Sequence, residues 1–149
     1  MKYLFALATL FVAQSTLAVE LEIENCRDVE VTKDRRYVTQ TRDWSNGQIR
    51  FLVHDLGEPA AQPIGIQINY VRFAGTVNEQ RFCVYVTGLS DAYLSRATAE
   101  YFPNDNILVI DVPARRYFPD SDRFGGTNAR FVIRKEGRLA TDIFQAAAR

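Results

Sequence analysis

The feature that most constrains this chain is the alternation of side chains from Gln62 to Thr87. Ile64, Ile66, Ile68 and Tyr70 fall on one parity, with Gly65, Gln67 and Asn69 on the other. Phe82, Val84 and Val86 repeat the pattern against Arg81, Cys83, Tyr85 and Thr87. A period of two is that of a strand with one buried face, whereas a helix would return every three to four residues. Between the two runs, Ala74 to Glu79 contains Gly75 and Asn78, residues that tolerate turn geometry, so the stretch predicts an antiparallel hairpin.

Similar alternation recurs elsewhere. Val19, Leu21 and Ile23 oppose Glu20, Glu22 and Glu24, the pattern of a strand whose charged face discourages edge-to-edge pairing. Ile49, Phe51 and Val53 form a core parity after Asn46 and Gly47, which supply the positive φ of a hairpin turn. Residues 29–41 predict two short strands across a turn, and Ile107 to Val112 predicts a central strand buried on both faces. Phe131 and Ile133 point inward on a further strand, and Leu139 to Phe144 is compatible with either a helix or an edge strand. Against this β pattern, Tyr93, Leu94, Ala97 and Tyr101 recur at helical spacing behind a Ser90 or Asp91 cap, predicting one short helix. The expected fold is therefore all-β, a sandwich-like antiparallel architecture with one short helix, and α+β is the alternative.

Residues 1–18 have the layout of a secretory signal peptide: Lys2, an apolar run from Tyr3 to Ala13, then Thr16 and Ala18 at small-residue cleavage positions. The run would cross only about half of a ~30 Å hydrocarbon core, which favours cleavage over anchoring and leaves no transmembrane segment in the mature chain. Residues 19–149 then form a single β-rich domain that is extracytoplasmic, either periplasmic or secreted. In an oxidising compartment Cys26 and Cys83, the two cysteines of the chain, are expected to form a disulfide.

Charge and motif content exclude several function classes. Eighteen Lys and Arg balance eighteen Asp and Glu, which argues against a nucleic-acid partner. One histidine and two bridged cysteines cannot supply a His/Cys metal set, no motif calls for a cofactor, and no GxSxG elbow is present. His54 adjoins Asp55, but neighbours on a strand face opposite ways, so the two cannot form an orienting pair and His54 is expected at the surface or half-buried.

Arginine directly precedes an aromatic at Arg36-Tyr37, Arg50-Phe51, Arg81-Phe82, Arg116-Tyr117 and Arg123-Phe124, among others. Strands with one solvated face produce this pairing, and outward arginines on one sheet could also hold phosphate, carboxylate or acidic polysaccharide. Residues 113–128 predict a long irregular connection, and its Arg115, Arg116, Tyr117, Phe118, Arg123 and Phe124 are the candidate binding surface. Arginine and aromatic side chains dominate interface energies. The competing reading has Tyr117 and Phe118 covering an open end of the core. The expected function is non-enzymatic binding or accessory recognition of an envelope or extracellular protein or glycan. Two alternatives stand beside it. One is a small hydrolase using convergent carboxylates such as Asp105, Asp111 and Asp120. The other is a calcium-stabilised adhesion module built on Asp120, Asp122 and Asn128, whose pattern departs from a calcium loop at Phe124.

Overall fold

A computed structural model describes residues 21–33, 35–57, 63–71, 81–118, 121–134 and 139–144. The leader-like segment, the turn at 74–79 and Asp120 lie outside the described residues. Ten strands are present among the described residues: β1 (Glu22–Asn25), β2 (Val38–Trp44), β3 (Ile49–Asp55), β4 (Ile64–Val71), β5 (Arg81–Leu89), β6 (Asp91–Ala92), β7 (Thr98–Phe102), β8 (Ile107–Phe118), β9 (Arg123–Arg134) and β10 (Leu139–Phe144). They form two antiparallel sheets. The first runs β1-β5-β4-β3-β2, and the second runs β10-β9-β8-β6 with β7 also paired to β8. The fold is all-β and sandwich-like, with β4 and β5 paired as their alternation predicts and β1 at an edge.

The parity of each strand decides what enters the core. Ile49, Phe51 and Val53 of β3, Ile66, Ile68 and Tyr70 of β4, and Val86 of β5 turn toward Ile110, Val112, Ala129, Phe131 and Ile133 of the second sheet. Phe51 and Phe131 meet edge to face across the sheets, with ring centroids 5.1 Å apart. Such a pair contributes about 1 kcal/mol beyond its area burial. The sandwich is also tied along β2. Gln40 donates from Nε2 to the Ala92 carbonyl at 2.6 Å and accepts from the Leu94 N–H at 3.0 Å, while Arg42 donates to the Leu94 carbonyl. Two side chains of one sheet thereby serve the backbone of the other.

Between β1 and β2 the chain passes through three 3₁₀ turns, Cys26–Asp28, Glu30–Lys33 and Arg35–Tyr37; of the two strands expected across residues 29–41, the second forms as the start of β2 from Val38 and the first is replaced by turns. This segment starts at the β1 edge and ends at the β2 edge of the same sheet, with its first turn against β5 and its last against β3. It therefore straps the outward face of the first sheet, and the Cys26–Cys83 disulfide fastens it to β5. The strap side of that sheet explains a correction. His54 has outward parity, yet it is 1% exposed rather than at the surface or half-buried. Its Nε2 lies 3.0 Å from Gln67 Oε1 and its ring 5.8 Å from that of Tyr85, while Asp55 instead accepts from the Gly57 N–H. Burial pushes the imidazole pKa down, and burial with the nearby Glu24 charge pushes the Tyr85 phenol up to about 12.

The short helix expected after Ser90 is absent; β6, a 3₁₀ turn at Leu94–Arg96 and β7 occupy that segment. The long irregular connection over 113–128 is likewise corrected, because both of its flanks continue as strand in a twelve-residue pairing from Ile107↔Arg134 to Phe118↔Arg123. One residue accounts for the break between β6 and β7. Tyr93 N–H donates to the Pro113 carbonyl at 2.9 Å, but proline has no N–H to return to Tyr93. The Tyr93 carbonyl accepts from Arg96 N–H at 3.0 Å instead, which winds the turn. β8 is central as expected, but only one face is fully buried: Leu108, Ile110 and Val112 lie inside, while Ile107, Val109 and Asp111 are partly exposed. Asp111 is held fork to fork by Arg130, at 2.7 and 2.8 Å.

Candidate functional site

The ends of β8 and β9 separate the six candidate residues by parity. Arg115, Tyr117 and Phe124 take the outward face, with Phe124 50% exposed. Arg116 takes the inward face, 7% exposed, with its guanidinium 5.1 Å from the centre of the Phe118 ring. Phe118 is half-buried, and it lies over Gly125 so closely that a Cβ there would approach the ring to 2.7 Å. Arg123 is exposed at the start of β9, opposite Phe118.

The outward side chains form a continuous run. Tyr117 and Phe124, directly opposite in register, have ring centroids 5.3 Å apart. The Arg115 guanidinium lies 5.9 Å from the Phe124 ring and interacts with the Tyr93 phenol. Arg96 in turn lies 5.4 Å from the Tyr93 ring. Tyr93 and Arg96 are not among the six candidate binding residues; Tyr93 reads in the sequence as part of a helical stripe. Their signal is there, since Ala92 and Leu94 are buried in alternation with Asp91, Tyr93 and Ser95.

A carboxylate stands by each phenol. Tyr117 donates to Asp122, and the receiving carboxylate raises the Tyr117 pKa; the neighbouring Asp91 carboxylate does the same for Tyr93. Both phenols therefore stay neutral at ordinary pH and present a flat ring with a polar tip. Asp122 adopts a positive φ of 49° in the turn that joins the strands. Cation–π contacts at exposed sites contribute about 0.5–1 kcal/mol each, enough to order these side chains without burying them.

Carboxylates do not gather elsewhere among the described residues. Asp111 faces Arg130 on the second sheet, whereas His54 sits with Gln67 and Tyr85 on the first. Among the described residues, no group of three or more His, Cys, Asp or Glu side chains is placed to hold a metal ion, and no helix is long and apolar enough to cross a membrane.

Fold and surface together define a disulfide-tied β-sandwich with a run of arginine and aromatic side chains on one hairpin. No protein-family model, curated protein or solved structure matches the chain.

Proposed function

We propose that this protein is an exported, non-enzymatic binding module that recognises an extracellular or envelope protein through the outward face of the β8–β9 hairpin. The observation that carries the reading is the run Arg96–Tyr93–Arg115–Phe124–Tyr117, in which Arg115, Tyr117 and Phe124 stand on the β8–β9 pair and Tyr93 and Arg96 on the adjoining β6–β7 link, with both arginines and Phe124 exposed and the two tyrosines half-buried. Side chains with no core to fill are held in order there by one another. Rigid aromatic and arginine groups lose little conformational freedom on association, which is why they anchor interfaces. The leader-like residues 1–18 and the Cys26–Cys83 bridge support export to an oxidising compartment.

The test is capture of partners from the extracellular fraction of the source by the mature chain and two variants. Arg115→Ala with Phe124→Ala should weaken capture at least tenfold and leave thermal unfolding within about 2 °C, because both side chains face solvent. Arg116→Ala should do the reverse. Its side chain is buried, so its loss should lower stability by about 1–3 kcal/mol while capture by the folded fraction persists. Undiminished capture by the outward double variant would refute the assignment.

A further inference from the structure

The strap covers only part of the first sheet's outward face, leaving an open groove of about 920 Å³ between its first turn and the β2–β3 turn. Among the described residues, the lining holds Arg27, Arg50 and Arg81 and no carboxylate side chain. Four neutral amides, Asn25, Asn46, Gln48 and Asn69, are interspersed with them. The molecule as a whole has no net charge, so an acid-free groove with three guanidinium groups is a local departure from its surface.

The three cations are not equivalent. Arg50 is locked fork to fork on Asp43, at 2.7 and 2.8 Å, and the pairing holds the Asp43 carboxyl below its ordinary range. Arg27 and Arg81 are exposed and make no ion pair among the described residues. Two guanidinium groups are thus free to take an anion, on elements that are already fixed relative to each other. Arg27 follows Cys26 directly and Arg81 lies two residues before Cys83, so the disulfide brackets both. The amides are oriented as well. Asn25 Oδ1 accepts from the Arg27 N–H at 3.0 Å, and Asn69 Oδ1 accepts from Gln67 Nε2 at 3.3 Å, which leaves each amide N–H₂ to donate elsewhere.

We propose that this groove is a separate binding site for an acidic oligosaccharide, with Arg27 and Arg81 holding its carboxylate or sulfate groups and the asparagines its hydroxyls. Guanidinium pairs with such oxyanions through two parallel N–H···O bonds. Side-chain amides both donate and accept, as sugar hydroxyls do. A single phosphate would leave most of the groove empty. Single-stranded nucleic acid needs open aromatic faces for its bases, but Tyr70 and Phe82 are stacked on each other, with centroids 5.3 Å apart and Tyr70 buried.

The experiment is calorimetric titration of the mature protein with a galacturonate hexamer, a heparin-type hexasaccharide, the fully methyl-esterified galacturonate hexamer and inorganic phosphate. At least one acidic hexamer should bind, with an affinity that falls as salt rises from 50 to 200 mM. Arg27→Ala with Arg81→Ala should weaken it tenfold or more and flatten the salt dependence, and circular dichroism and melting of this variant should match the parent. The methyl ester should bind at least tenfold more weakly, and phosphate at equal anion concentration should not displace the hexamer. The proposal is overturned if neither acidic hexamer binds, if the double variant binds as the parent does, if the ester binds equally, or if phosphate competes on equal terms. Phe124→Ala should leave the titration unchanged, which separates this site from the β8–β9 surface.

Discussion

Removing the Cys26–Cys83 bridge, by Cys26→Ala with Cys83→Ala, tests how the strap is held. The cysteines are 57 positions apart. In the chain-entropy model a closed loop of that length costs the unfolded state about 14 cal/mol/K, or about 4 kcal/mol at 25 °C. With a guanidinium m-value of about 3 kcal/mol/M, the unfolding midpoint should fall by roughly 1.3 M. The loss should also be uneven in space. All four residues of β1 are exposed and, among the described residues, it pairs with β5 alone, so that little there besides Leu21, Cys26 and the bridge fastens this end. Hydrogen exchange should show protection lost at Glu22–Asn25 and in the strap before β3, β4, β8 and β9 are affected. A midpoint shift below about 0.3 M would refute the loop argument. Loss of protection in β8 and β9 first would refute the claim that the bridge acts through the strap.

Two further perturbations probe the same buried face. At Gly65 a Cβ would come within 1.9 Å of the Tyr85 hydroxyl, so Gly65→Ala must displace that ring and should destabilise the protein by about 1–3 kcal/mol in urea melts; combined with Tyr85→Leu it should cost clearly less than the sum. Because His54 has a folded-state pKa below its ordinary 6.5, the unfolded chain binds the extra proton first as pH falls; stability should be greatest above about 6.5, decline from there down to the depressed value and then level off. His54→Gln should flatten that limb in denaturation midpoints measured from pH 7.5 to 4.5, and an unchanged slope would reject the buried-imidazole account.

Much of this architecture is legible in the sequence wherever one face of a strand is buried and the other solvated. Ile64, Ile66, Ile68 and Tyr70 announce their sheet because each outward neighbour is small or polar. The acidic face of β1 marks an edge for the same reason. The pattern fails where tertiary context outweighs local preference. Tyr93, Leu94, Ala97 and Tyr101 match a helical stripe, yet all five residues of β7 are exposed and gain their order from pairing with β8. A strand of twelve residues presents backbone groups along its whole edge, and those groups need partners. His54 was misplaced for a related reason. Parity gives the side of a sheet but not what later crosses it, and the strap is formed by a stretch with no clear period.

The candidate surface was legible as a composition but not as a shape, and Pro113 explains both parts of that result. A proline in the 113–128 stretch argues against a central strand, so the stretch reads as a loop and its arginines and aromatics as one undivided patch. In the folded chain the sheet accommodates Pro113 by interrupting its neighbour instead of itself. β8 continues through the proline with Asn128 opposite, and the cost of the missing donor falls on Tyr93, whose carbonyl turns to Arg96. Because β8 stays extended, its residues keep strict alternation, and adjacent arginines acquire opposite roles: Arg115 joins the outward run while Arg116 is buried over Phe118. Because the neighbouring strand breaks, the turn at Leu94–Arg96 brings Arg96 back against the Tyr93 ring and lengthens that run. One absent N–H thus decides which side chains the hairpin can offer a partner.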